Sequence, residues 1–318
     1  MLTIYLEEPI TKHQNPIYYK TTSRLATITD VNIVSDNLVV AIHRYAGKVY
    51  LIEIDNNLEN YNIIDTLNVK YADNKIDTEM LVRKDTHLYI ITFSEYMIQV
   101  DIINNKKLQF IRTIKLNEKG NRYHGVCVYN NNLYMVPSVV PKNNPIHIIK
   151  MGIPLSDNNN NKVEKIITKE FIDNTGKYRI KDIAFLKNGT IVLNVMINNG
   201  KTIMTMENHV DNGFIGLYDS HFNQLDVYLL DEVHLDGMVA YENDVYFTVV
   251  EKDGSFIYKC SIDDITNKID KNVKKYKSAD FPHGIDIYKS SKTILGYTSY
   301  GTSSLYLSYL DDMEFVLV

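Results

Sequence analysis

The chain has 318 residues, 45% of them apolar and 23% charged, with a formal net charge of −5 and a pI near 6.0. The acidic surplus excludes a basic surface that neutralises phosphates, so nucleic acid is not expected as a partner. The two cysteines exclude a disulfide scaffold. No run approaches the roughly 18 apolar residues of a membrane helix, so no membrane is expected and the chain reads as cytoplasmic.

In chain order, the first element is the alternating run Leu2–Glu7, "LTIYLEE". It has neither a basic start nor a long apolar stretch, so it is expected to be a strand and not a leader. Strand openings then recur at Asp30 ("TDVNIV"), Asp77 ("DTEMLV"), His124 ("HGVCVY"), Asp182 ("KDIAFL"), Asp236 ("DGMVAY") and His283 ("HGIDIY"), and three of the five steps are 47 residues. A period of about 40 to 50 residues holding four strands is the mark of a propeller blade. In the first unit the strands are expected at 30–34, 38–43, 48–55 and 61–69. Polar/apolar alternation dominates and helical periodicity is almost absent. "YNNNLYMV", "LKNGTIVL" and "YENDVYFTVV" each write a hairpin around a turn of Asn, Asp or Gly. The two long steps are explained by insertions at 142–162 and 198–212.

The expected fold is therefore all-β: one domain over 1–318, a six-bladed β-propeller of four-stranded antiparallel blades. The blades fall at about 25–70, 71–117, 118–172, 173–230, 231–279 and 280–318, with 1–8 added to the last to close the ring. Five or seven blades are the alternatives. Closure shields an edge strand that would otherwise be free to pair with another chain.

The loop before each innermost strand projects toward the mouth of a propeller's channel. The positions offered are Asp30 or Thr29, Asp77 or Thr78, His124, Asp182, Asp236 and His283. The first two are ambiguous because a one-residue slip turns a side chain to the opposite face. In a six-fold ring His124 and His283 stand opposite one another. Imidazoles among carboxylates suit a metal or acid–base chemistry. His124, His283 and Asp236 are the catalytic candidates, and His124, His283, Asp182 and Asp236 the candidate metal ligands. His43, Arg44, Tyr123, His234, Glu251 and Tyr297 are the substrate-binding candidates, with Tyr45, Glu95, Tyr96, Lys252 and Tyr300 on loops of the same mouth. A structural role competes at every position: Asp before a strand caps backbone N–H groups, and Gly after it serves a turn.

"DFPHGIDIY", "YHGVCVYNNNLYMV" and "LDGMVAYENDVYFTVV" resemble blade openings of six-bladed propellers related to SMP-30/gluconolactonase, strictosidine synthase, arylesterase (paraoxonase) and NHL-repeat proteins. The resemblance implies a channel-mouth site, which hydrolase members of those families fill with a divalent ion held by Glu, Asn and Asp. This chain lacks a clear Glu at the first blade and the Asn pair. The expected function is an enzyme acting on a small-molecule substrate, with one divalent metal ion (Zn, Fe, Mn or Ca) or none. Hydrolysis of a lactone or ester is the first expectation, and a lyase or cyclase reaction the next. The alternative is a non-catalytic propeller that binds a protein or small-molecule partner.

Overall fold

The computed structural model describes residues 1–6, 28–44, 46–71, 74–75, 78–92, 96–104, 106–116, 122–139, 146–155, 163–166, 178–197, 211–263 and 265–318. Tyr45, Asp77, Glu95 and most of the insertion at 198–212 lie outside them.

Strands form where alternation and turn residues place them. β1 (Leu2–Tyr5) comes first. β2 (Ile28–Ser35), β3 (Leu38–His43), β4 (Lys48–Ile54) and β5 (Tyr61–Asn68) make an antiparallel sheet in chain order. After the two-residue pair β6 (Lys70–Tyr71) and β7 (Asn74–Lys75), the pattern repeats in β8 (Thr78–Lys84), β9 (His87–Thr92), β10 (Tyr96–Ile103) and β11 (Lys107–Lys115). A third sheet holds β12 (Arg122–Tyr129), β13 (Asn132–Val139), β14 (Ile148–Gly152) and β15 (Val163–Ile166). Its first hairpin turns on Asn130 and Asn131, with φ of 45° and 55°. That left-handed pair is what a two-residue hairpin needs and what Asn tolerates.

The next strands do not form two separate sheets. β16 (Tyr178–Phe185), β17 (Ile191–Ile197) and β18 (Asp211–Tyr218) lead into the 18-residue β19 (Gln224–Tyr241). β19 pairs with β18 through its first part and with β20 (Asp244–Glu251) through its last, and Val233 has a partner on each. β21 (Gly254–Asp263), β22 (Lys268–Ile269) and β23 (Lys274–Lys277) follow, and the result is one nine-stranded sheet. β24 (Pro282–Lys289), β25 (Thr293–Ser299) and β26 (Ser304–Tyr309) take β1 as their fourth, outermost strand, with Leu2 opposite Leu307. β27 (Val316–Leu317) ends on β23. Among the described residues, six separate four-stranded sheets are thus replaced by four four-stranded sheets and one continuous nine-stranded one, beside the small β6–β7 pair.

The architecture is an all-β propeller. β2, β8, β12, β16, the last part of β19 and β24 pack each against the next, and β24 packs back against β2. Six buried apolar clusters fill the spaces behind them. The first sheet meets the last through Ile4, Ile33, Ile52 and Leu305, and meets the second through Val40, Leu51, Ile90 and Val100. With no Trp among its aromatics, the chain uses Tyr as the large filler. Tyr89, Tyr123, Tyr218, Tyr246, Tyr258 and Tyr297 are among the largest fully buried side chains, each bringing a large apolar area to the core.

Candidate active site

Each of the six strands β2, β8, β12, β16, β19 and β24 carries an irregularity of pairing near its start. The interrupted steps lie at Ile28/Asp30, Thr78/Met80, Tyr123/Gly125, Ile180/Asp182, Leu235/Met238 and Pro282/Ile285. A bulge leaves a residue out of the ladder and re-aims its side chain. The residues so released are Thr29, Glu79, His124, Lys181, Asp236 and His283, all buried.

Five of these side chains converge. His124 Nε2 lies 3.3 Å from Glu79 Oε1, 3.4 Å from Asp236 Oδ1 and 3.3 Å from Lys181 Nζ. His283 Nε2 lies 3.7 Å from Glu79 Oε1 and 3.9 Å from Asp236 Oδ1. The two imidazole centroids are 5.1 Å apart. Lys181 Nζ is 2.6 Å from Asp236 Oδ1, an ion pair without an aligned hydrogen bond on that oxygen. His234 Nε2 stands 3.0 Å from Asp236 Oδ2. Arg44 Nη1 reaches Glu79 Oε2 at 3.0 Å and donates to the Tyr300 hydroxyl at 2.8 Å, and the Tyr300 ring meets His283 edge-on at 4.5 Å.

Both histidines are held the same way. His124 Nδ1 lies 2.8 Å from the Lys181 carbonyl, and His283 Nδ1 lies 2.8 Å from the Thr29 carbonyl. Each bond runs to the bulge residue of the next strand. A carbonyl only accepts, so Nδ1 carries the proton and Nε2 turns its lone pair to the cluster. Burial pushes the His283 imidazole well below its usual range, against the pull of Asp236, so it stays neutral at pH 7. Burial pushes Asp236 up, but the charge of neighbouring Lys181 above all outweighs it and holds this carboxyl well below the usual range. Glu79 faces the Arg44 guanidinium and Asp236 the Lys181 ammonium, the partners that buried carboxylates need.

The glycine of each His-Gly pair answers to neighbouring backbone. A Cβ on Gly284 would lie 2.5 Å from the Asp30 Cα, and one on Gly125 would overlap the Asp182 Cα. Only glycine lets adjacent inner strands approach so closely. Asp30 and Asp182 follow their bulge residues directly and point away from the cluster. Asp30 Oδ2 accepts the Leu81 N–H at 2.7 Å and Asp182 Oδ2 the Met238 N–H at 2.7 Å, while Asp286 Oδ2 accepts the Ile33 N–H at 2.7 Å. Each stitches one strand to the next. Burial raises the Asp182 carboxyl to about 8 and that of Asp286 to about 7.

Of the residues expected at the mouth, the structure brings together His124, His283, Asp236, Arg44, His234 and Tyr300. Asp182 is spent on backbone, as described. Tyr123 faces the opposite way, into the core with Met80, Tyr89 and Met135. Tyr297 stacks on Tyr306 at 5.0 Å and accepts the Ala279 N–H. Glu251 takes the Tyr258 hydroxyl and Lys275 Nζ. His43 accepts the Ala46 N–H within its own hairpin. Glu79 and Lys181 were not anticipated. The signal lay in spacing: Glu79 and Lys181 sit two positions before the apolar strand residues Leu81 and Ile183, as His124 and His283 do before Val126 and Ile285.

The convergent atoms differ from the oxygen-only set of Glu, Asn and Asp that the resemblance implies, and of the expected ions they suit calcium least. Calcium takes six to eight oxygens, whereas two of the convergent atoms are imidazole nitrogens and two cationic side chains stand among the carboxylates. A separate cleft of about 790 Å³ opens between the third sheet and β16–β18, lined by Tyr129, Tyr134, Lys150, Glu164, Phe185 and Phe222. It contains none of the convergent residues.

No family profile and no curated protein matches the chain. Solved structures do. The Cps50 (Swd1) β-propeller domain of Myceliophteria thermophila is similar with a TM-score of 0.55 at 8% identity, covering 91% of this chain and 99% of that one. The PQQ-bound aldose sugar dehydrogenase of Streptomyces coelicolor gives 0.56 at 8% identity, covering 94% and 100%. A putative 6-phosphogluconolactonase from Bacteroides fragilis gives 0.52 at 13% identity, covering 91% and 86%. At these identities the likeness establishes the propeller fold alone.

Proposed function

We propose that the chain is a six-bladed propeller, closed by β1, with an axial cluster that is the active site of an enzyme acting on a small polar metabolite. The nine-stranded sheet then counts as two blades sharing β19. Six bulged inner strands and six intervening apolar clusters support that count. Hydrolysis of a lactone or ester is the reaction the groups suit best, and a lyase or cyclase would use the same ones. A sugar dehydrogenase and a putative lactonase among the similar folds are compatible with an enzyme.

The observation that carries this reading is the pair of imidazoles fixed through Nδ1, with both Nε2 atoms turned toward Glu79 and Asp236. His124 Nε2 is set to take a proton from an attacking water, and the adjacent carboxylates stabilise the imidazolium that results. Lys181, Arg44 and His234 keep 10%, 9% and 12% of their side chains accessible, against 2–3% for Glu79 and the two histidines. They are the more accessible members of the cluster and would face the developing oxyanion of a polarised carbonyl. The test is turnover of a panel of lactones and aryl esters by the wild type, His124→Gln and His283→Gln, with circular dichroism as the fold control. Loss of about 100-fold or more in folded variants supports the assignment. Undiminished turnover in both would end it.

The alternative, a propeller that binds a partner without chemistry, draws on the cleft. Its stacked Tyr129 and Phe185 rings, 4.4 Å apart, and the Lys150–Glu164 ion pair form a surface remote from the cluster.

A further inference from the structure

We propose that Glu79 Oε1, His124 Nε2 and His283 Nε2 are ligands of a single transition-metal ion of the zinc class, with Asp236 Oδ1 as the fourth. This deepens the enzymatic reading above by naming a cofactor for the same cluster, but it stands or falls on metal binding alone.

The argument begins with polarity. Both Nδ1 atoms face carbonyls, so both Nε2 atoms are acceptors. They face two carboxylate oxygens, which also only accept. Four acceptors turned toward one point are stable only with a cation among them. The ligand atoms of Glu79, His124 and His283 all lie within 4.8 Å of one another. With bonds of about 2.1 Å, the edges of a tetrahedron around zinc are about 3.4 Å. The four measured nitrogen–oxygen separations are 3.3, 3.4, 3.7 and 3.9 Å. Asp236 is 5% exposed, and its Oδ1 makes no aligned hydrogen bond. The Nδ1–carbonyl bonds fix ring orientation in the manner usual for metal-bound histidine. Two imidazoles with carboxylates select zinc, iron or manganese over calcium.

Lys181 supplies the cation when no metal is present. Its ammonium lies against Asp236 Oδ1 and His124 Nε2, two of the four ligand atoms. An ion bonded to Asp236 Oδ1 and His124 Nε2 would take the space that this ammonium fills, 2.6 Å from the one and 3.3 Å from the other, so metal entry displaces Lys181 from Asp236. Lys181 therefore tunes the affinity downward and acts as a built-in competitor.

The experiment uses the full untagged chain, stripped with a chelator and titrated with Zn²⁺ against a chromophoric competitor, and in parallel with Co²⁺ for its visible spectrum. One equivalent is expected, with the intense absorption of low-symmetry cobalt. Glu79→Gln and His283→Gln are expected to weaken binding by about 100-fold or more. Lys181→Met is expected to tighten it by about 10-fold, an outcome that misfolding cannot mimic. His221→Ala, on an exposed turn, is the control and should bind as the wild type does. Absence of stoichiometric binding by the wild type, or wild-type affinity in both Gln variants, overturns the site. Weaker binding in Lys181→Met overturns the competition. Absence of binding together with turnover by the stripped chain would leave the enzymatic reading intact while removing the cofactor.

Discussion

Gly284 and Asp30 stand backbone to backbone where the first inner strand meets the last, a Cβ on Gly284 falling 2.5 Å from the Asp30 Cα. The same approach brings the Thr29 carbonyl within reach of both His283 Nδ1 and Thr298 Oγ1. Gly284→Ala should therefore cost about 3 kcal/mol, from displaced backbone and strained bonds together. Gly152→Ala meets nothing closer than 4.0 Å and should change stability by less than about 1 kcal/mol. Urea denaturation of the two variants separates them, and equal midpoints would refute the close-approach argument.

Arg44 bridges Glu79 and Tyr300 in a setting where Glu79 is 1% exposed. Arg44→Met leaves a buried carboxylate without its guanidinium, and a loss of about 3–5 kcal/mol is expected. Adding Glu79→Gln removes the stranded charge and should recover part of that loss. A double-mutant cycle measures the recovery. Simple additivity would mean the two groups do not depend on each other.

Asp286 keeps its proton in the folded chain up to a pH of about 7, because burial raises its carboxyl from the ordinary 3.8. The unfolded chain loses that proton near 3.8. The contribution of Asp286 is thus complete below the unfolded value and drains away as pH rises toward 7, at a slope of at most about 1.4 kcal/mol per pH unit. Asp286→Asn cannot titrate, so its stability should fall less steeply between pH 4.5 and 6.5 than that of the wild type. Chemical denaturation at several pH values reads the difference. Parallel pH profiles would show that the carboxylate is ionised in the fold.

Tyr123 is fully buried between the second and third sheets, although His124 beside it enters the axial cluster. Tyr123→Ala should cost about 3–5 kcal/mol through the cavity it leaves. Its effect on turnover should be small once the variant is assayed well below its melting temperature. A folded Tyr123→Ala that loses turnover as severely as His124→Gln would return this residue to the site.

The period of the chain was legible because each blade-like unit repeats the same strand opening, and His124, His283 and Asp236 were found from that phrase. Glu79 and Lys181 were missed for a physical reason. In the units they occupy, the residue after the bulge is Met80 or Asp182, not Gly, so the phrase is no longer recognisable. The carboxylate of Asp182 then looked like the functional group, when the lysine before it is the one released by the bulge. Tyr123 was misplaced because alternation gives the face of a strand only when the register is known, and the bulge at His124 resets it. Tyr297 and Glu251 read as loop residues, whereas they lie within β25 and at the end of β20. The division expected near residue 231 does not appear as a break between sheets because β19 runs without a turn from its pairing with β18 to its pairing with β20.

That unbroken strand has a mechanical consequence. Lys181 on β16 and Asp236 on β19 ride on one continuous sheet, whereas Glu79, His124 and His283 are each carried by a sheet of their own. Thermal breathing between sheets therefore stretches the distances among the last three far more than the lysine–aspartate contact. The lysine–aspartate pair is thus expected to be the last contact of the cluster to loosen.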